Sequence, residues 1–317
     1  MAKLILTADV HFTEVEPFYS AKLRFFEWLS KQSFNNSGNY FGILGDFGDK
    51  SKHTGLVNRK AISILKSLKF KKIFILTGNH DKSKQFGNFL EPLKDLGNVE
   101  VIDTPIVNSV EGNNCLWLPH YYRASEDDRL MKDMYENDFN EDSYDFVFYH
   151  FPDETEQMFG KFIDISQIKG KKLGGDIHIQ SERYIGPPTK TRFTEKGQEN
   201  RLLSVDLATK KLDSIPLPNF LDYISVNYPN LPVIDSIQFP ILDIDGAPSR
   251  KYEKEIREKY KGYYIRKITY KEEDGFLQGG GLDLKEAVKD TKKSFLEFSE
   301  TNKLGNGIRE KILTVLK

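Results

Sequence analysis

Residues 71–81 read KKIFILTGNHD, an apolar run from Ile73 through Leu76 followed by Asn79, His80 and Asp81. A short apolar run bounded by turn residues reads as a strand. Beyond it come an uncharged oxygen ligand, an imidazole and a carboxylate able to orient that imidazole. Polar groups just past the carboxyl end of a strand lie where the loops of an α/β sheet converge.

The same arrangement recurs on both sides. KLILTA runs into Asp9 and His11, and YFGILG into Asp46, with the helical stretches PFYSAKLRFFEWLSKQ and GLVNRKAISILKSLK between them. That alternation predicts an α/β fold. A helical FGNFLEPLKDL, the strands NVEVID and CLWLP, and a polar stretch rich in Asp, Glu and Met lead to YDFVFYH, which closes on His150. KKLGGDIH repeats the pattern with Asp176 and His178. The alternating runs ERYIG, RLLSVDL and KKLDSIPL predict antiparallel strands completing a second sheet, so two packed sheets flanked by helices are expected.

Composition shifts to Pro and Asn over 217–232, and IQFPILDI, SRKYEKEIREKY and YYIRKITY then predict a small β-α-β cap. The glycines at 279–281 mark a linker before two terminal helices, LDLKEAVKDTKKSFLEFS and GIREKILTVLK. In the first, Leu284, Val288, Thr291, Phe295 and Phe298 form one seam, suited to docking on its own domain or on a partner helix. The expected units are 1–216, 217–278 and 279–317.

Charged residues make up 29% of the 317 and apolar residues 38%, the profile of a globular protein rather than a disordered one. A net charge of −1 means that any nucleic-acid partner is attracted by local patches or bound metal, not by overall balance. Cys115 is the lone cysteine and reads as a buried strand residue rather than a nucleophile. With neither a signal peptide nor an apolar run of spanning length, the expected location is the cytoplasm, without a membrane partner.

Asp9 and His11 lie two apart, so in extended chain they point the same way and can share an ion. Asp46 follows a glycine that lets the backbone turn and leaves the carboxylate open to two ions. Asp49 reads as support for a ligand or as a helix cap, with a place as a further ligand as the alternative. His150 alone closes its strand with a polar group, and Asp176 and His178 follow two glycines that permit close backbone approach. Hydrolysis of a phosphoester requires charge neutralisation, a hydroxide at neutral pH and a stabilised leaving oxygen, and a pair of divalent metals supplies all of them. Carboxylates, imidazoles and one shared carboxylate are the donors such a pair needs.

Taken in order, DVH, GDFGD, GNHD, the strand-ending histidine and GDIH resemble the motif set of the calcineurin-like metallophosphoesterases. The resemblance implies a four-layer α-β-β-α sandwich of two mixed sheets, with the β-α-β cap and C-terminal helices appended. It implies that Asp9, His11 and His178 hold one ion, that Asn79, His150 and Asp176 hold the other, and that Asp46 bridges. His80 takes the place of the family's catalytic histidine, with Asp81 orienting it. The family usually carries Gly-His-x-His at the last motif; Asp176 stands here for the first histidine, adding negative charge and favouring Mn²⁺ or Mg²⁺.

Beyond GDIH, ERYIGPPTKTRFTE resembles the Tyr-x-Gly-Ser-Pro segment of the SbcD-type DNA repair nucleases, with Pro187 in place of the serine. That resemblance implies a subunit using two Mn²⁺, with exonuclease and endonuclease activity on DNA in recombination or repair. It also implies a dimer whose terminal helices bind an SbcC-like coiled-coil ATPase. Compact size and Lys- and Asn-rich composition are similar to bacteriophage members. His53 and Thr54 fall where that subfamily contacts DNA, and Lys50, Lys52, Lys190 and Arg192 can meet phosphates or simply be solvated. Two further readings stay open: a phosphatase with the same metal core, and a DNA-binding scaffold whose second ion site is weakened by Asp176.

Overall fold

The computed structural model describes residues 1–83, 87–120, 128–140, 142–159, 162–232 and 237–271. The first half contains β1 (Lys3–Thr7), α1 (Phe18–Ser30), β2 (Tyr40–Leu44), α2 (Gly55–Ser67), β3 (Lys72–Leu76), the ribbon β4 (Lys82–Ser83) and β5 (Gly87–Asn88), β6 (Val99–Ile102), β7 (Ile106–Val110) and β8 (Asn113–Leu118). The second contains α3 (Asp128–Asn137), β9 (Ser143–His150), β10 (Lys169–Gly175), β11 (Arg201–Asp206), β12 (Leu212–Pro216), β13 (Leu221–Asn227), β14 (Phe239–Ala247), α4 (Glu253–Lys259) and β15 (Tyr264–Tyr270).

Two mixed sheets build the sandwich. The first has the order β12-β11-β1-β2-β3-β6, with β1, β2, β3 and β6 parallel. The second has the order β10-β9-β8-β7, with β9 parallel to both neighbours. Alternation along each strand divides the core into layers. Leu4, Leu6, Phe74 and Leu76 of the first sheet meet Cys115, Trp117, Phe146 and Phe148 of the second, whereas Ile5, Phe41, Ile73 and Ile75 turn outward onto α1 and α2. Leu116, Leu118, Val147 and Tyr149 form the outer face of the second sheet, with Tyr135 of α3 packed on it. Both faces of these strands are covered, which is why they read as continuous apolar runs.

α1 buries Phe25, Phe26 and Leu29 on one face, and α2 is capped by Thr54, whose Oγ1 accepts from the Val57 amide at 3.5 Å. Asp49 therefore does not cap it. Several expectations change. RLLSVDL and KKLDSIPL extend the first sheet, β11 lying antiparallel to β1, because β1 would otherwise present an open edge. ERYIG supplies only an isolated bridge, Tyr184 to Gly174. FGNFLEPLKDL makes a single 3₁₀ turn, Glu91–Leu93. There Pro92 lacks a donor, and Asn88 Oδ1 takes the Leu90 amide at 2.9 Å. The strand β7 and helix α3 were not foreseen.

The parallel sheet β13-β14-β15 carries α4 between its last two strands, and β13 adds a strand where composition suggested only a boundary. Val226, Leu242, Ile244, Ile256 and Tyr260 form its own core, while Leu221, Tyr223 and Ile241 join the α1 side of the main one. The expected terminal helices and their seam lie outside the described residues. No described helix is long and apolar enough to cross a membrane.

Trp117 is fully buried between the sheets, with ring centroids 4.8 Å from Phe74 and 4.3 Å from Phe148. Trp117→Ala is expected to lower the unfolding free energy by about 3–5 kcal/mol in denaturant titration. Exposed Val107→Ala should change it by less than about 0.5 kcal/mol; equal effects would contradict the layered core.

Candidate metal centre

Strands β1, β2, β3, β9 and β10 end at one place, and their following loops carry the candidate ligands. Their backbone is unusual. Asp9, His11, Asp46 and Asp176 have φ of 50°, 47°, 48° and 78°, in the left-handed region that non-glycine residues rarely adopt. Gly45 (φ +83°) and Gly78 flank them, and a Cβ would lie 1.9 Å from His150 Nδ1 at Gly45 and 2.1 Å from Asp46 Oδ1 at Gly78. Close backbone packing at these glycines lets ligands from both sheets converge.

Two buried sets of donor atoms result, Asp9, His11 and His178 in one and Asp9, Asp46 and His150 in the other, so that Asp9 belongs to both; His11, Asp49 and His80 form a third group nearer the surface. His150 Nε2 lies 3.2 Å from Asn79 Oδ1, 3.4 Å from Asp46 Oδ1 and 3.9 Å from Asp176 Oδ1. His11 Nε2 lies 3.8 Å from Asp46 Oδ2, so Asp46 faces both sets. Asp176 is a quarter exposed, at the rim, and its amide donates to Asp9 Oδ1 at 3.0 Å.

Supporting acceptors fix the histidine tautomers. A carbonyl can only accept, so His150 Nδ1 donates to Leu44 O at 2.7 Å and turns Nε2 toward the centre, where, against burial, Asp46, Asp9 and Asp176 hold the imidazole well above its ordinary value. His178 Nδ1 is held at 2.5 Å by Glu195 Oε1, a buried carboxylate that also takes the Thr191 amide. His80 Nδ1 donates to Asp49 O at 3.0 Å, leaving Nε2 4.0 Å from Asp46 Oδ2 and partly exposed. The expected pairing of Asp81 with His80 is thus corrected. Asp81 is fully buried and spends its carboxylate on the amides of Phe47, Gly48 and Gly78, which locks the loops bearing Asp46 and Asn79 together.

These residues fit a cation. His11 Nε2 and His178 Nε2 face each other at 3.2 Å, and Asp9 Oδ2 and His11 Nδ1 are buried with no hydrogen-bond partner. Buried polar atoms without partners are costly, and a divalent ion supplies what they lack. Burial pushes the Asp9 carboxyl up to about 7 and holds His11 well below its ordinary value, in the neutral form a ligand requires. Burial works against charge on Asp46 as well, but His150, His11 and His80 hold its carboxyl low. His178 is raised against its burial by Glu195.

The residues assigned to DNA behave differently from one another. Lys190 is 1% exposed and paired with Asp222 at 3.2 Å, so its reading as a phosphate contact is corrected. His53 packs on Phe89, ring centroids 4.5 Å apart, and accepts from the Lys50 amide. Lys50, Lys52 and Arg192 are exposed. Glu195, Thr191 and the Asp49 and Leu44 carbonyls went unforeseen, because neither a loop carboxylate nor a main-chain acceptor leaves a spacing signature.

The calcineurin-like phosphoesterase profile matches residues 2–185, more than half of the chain and all of the ligand-bearing loops. The chain belongs to that family. No curated protein matches it in sequence. Among solved structures, an archaeal phosphodiesterase is 14% identical with a TM-score of 0.37, covering 68% of this chain and 99% of its own. A protein of unknown function from Aquifex aeolicus is 19% identical with a TM-score of 0.28, covering 46% and 77%. As a metallophosphoesterase, the chain would hold divalent ions through the residues above.

A ligand carboxyl that titrates near 7 must lose its proton to an ion, so apparent Mn²⁺ affinity of this phosphoesterase should fall between about pH 8 and about pH 6 in calorimetric titration. Affinity independent of pH would contradict this. Glu195→Gln should weaken Mn²⁺ binding about 10–100-fold through the loosened His178.

Proposed function

We propose that this protein is a Mn²⁺-dependent DNA nuclease, exonucleolytic and endonucleolytic, working in recombination or repair. The observation that carries a phosphodiesterase reading is the pair of buried donor sets that have Asp9 in common and Asp46 facing both, with His80 at the exposed rim beside Asp46. Bound divalent ions would supply a hydroxide nucleophile and neutralise the phosphoryl oxygens. Mn²⁺ suits a set in which Asp176 adds a carboxylate to imidazoles.

This chain's residues do the rest. Asp46 takes the shared position, and Asn79 and His150 fix the second donor set. His80, with Nδ1 committed to the Asp49 carbonyl, has Nε2 free to give a proton to the leaving oxygen. DNA as substrate is supported by the ERYIGPP segment and by cations on the loops around the centre. Arg192 is exposed and near enough to His178 to oppose its charge. In this reading the chain dimerises, and residues 279–317 dock an SbcC-like ATPase.

End-labelled linear DNA with Mn²⁺ tests the reading. Wild type should cleave it, His80→Ala about 10²–10⁴-fold more slowly, and Asp46→Ala at background. Turnover of p-nitrophenyl phosphate by a wild type that leaves DNA intact, with or without the ATPase, would make the protein a phosphatase instead. Intact ATPase binding by a wild type that turns over neither substrate would make it a scaffold.

A further inference from the structure

Between an edge of each sheet, β10 on one side and β11–β12 on the other, runs a cleft of about 790 Å³. Its lining carries Lys171, Lys172, Arg183 and Arg201 against a single carboxylate, Glu182. Arg183 is neutralised by Asp153 and Glu154, each at 2.7 Å. The other cations form no ion pair among the described residues. Lys172 Nζ donates to the Ile168 carbonyl at 2.7 Å, with Glu154, Asp153 and Asp164 near enough to favour its charge, and Arg201 Nη2 donates to the Ser181 carbonyl at 2.6 Å, a contact that leaves its charge unpaired. Lys171 is exposed and makes no ion pair among the described residues.

The atoms left without partners are donors. Arg201 Nε and Gln180 Nε2 are buried in the cleft wall and have no acceptor. A cleft with spare donors and spare positive charge suits an acceptor-rich anion. It also leads to the metal centre: Gln198, on its wall, donates to the His178 carbonyl at 3.0 Å. Lys172 lies on β10 four residues before Asp176, which follows the strand's end, so about 10 Å of strand separates it from the loop that carries Asp176.

We propose that this cleft holds the phosphate backbone of the nucleic-acid strand as it continues from the metal centre, with Lys171, Lys172 and Arg201 meeting its phosphates. The proposal rests on the nuclease reading above. Continuity with a phosphodiester-cleaving centre favours a polyphosphate chain over an acidic polypeptide, since each cleaved linkage has neighbouring phosphates that must lie somewhere along the surface.

The test is the salt dependence of binding of a fluorescein-labelled oligothymidylate by fluorescence anisotropy, in Ca²⁺ to suppress cleavage. Lys171→Gln with Lys172→Gln should weaken binding roughly tenfold at moderate salt and reduce the slope of log K against log salt by about 1.4, the share of two phosphates on a single strand. Glu182→Gln, on an exposed side chain, should tighten binding. Unchanged affinity and slope in both variants would overturn the proposal, and so would polyglutamate competing as well as the oligonucleotide. Cleavage by wild type is measured in the same series: its absence sinks the nuclease reading whatever the variants bind, whereas unaltered slopes sink the cleft whatever the wild type cleaves.

Discussion

A hydrogen bond of 2.7 Å from His150 Nδ1 to the Leu44 carbonyl ties the carboxyl end of the second sheet to that of the first. Much of the centre depends on how closely those ends approach. At Gly175 a Cβ would lie 2.0 Å from the Leu44 oxygen, and at Gly45 one would strike the His150 ring. Bare backbone at both points lets donors carried by separate sheets come within reach of one ion. The inter-sheet core of Trp117, Phe74 and Phe148 sets the spacing from behind.

That convergence has a conformational cost. Left-handed φ at Asp9, His11, Asp46 and Asp176 disfavours the loops by order 1 kcal/mol or more each. Buried carboxylates add to it, as the elevated Asp9 carboxyl shows. Asp81 offsets part of the strain by gathering three backbone amides from two loops. An ion that satisfies the orphaned Asp9 oxygen would offset more, so ion binding and loop order are linked.

Much of this was legible in the sequence, for identifiable reasons. Strands covered on both faces are unbroken apolar runs, so the sandwich and the loop after each strand could be located, and metal donors belong to few residue types. What stayed hidden depends on partners distant along the chain. Lys190 looked like a solvated cation because nothing near it announces Asp222, which comes from a strand of the third sheet. Glu195 ends a single 3₁₀ turn, Phe193–Glu195, too short to show a periodicity, and the groups orienting His80 and His150 are main-chain carbonyls, which every residue has. Asp81 was recognised as a functional neighbour but not as the buried clasp of the loops, because sequence adjacency to His80 suggested the wrong partner. The joining of β11 to β1 rather than to the second sheet likewise follows from edge pairing, which alternation alone does not reveal.

The proposed function depends on Asp46 being shared by two ion sites. Electron paramagnetic resonance of the Mn²⁺-loaded protein addresses it most directly, because ions bridged by a carboxylate about 3.5–4 Å apart are exchange-coupled. The account predicts a coupled spectrum at two Mn²⁺ per chain that gives way to isolated ions in Asp46→Asn. Saturation at one Mn²⁺, or uncoupled ions in the wild type, would contradict it.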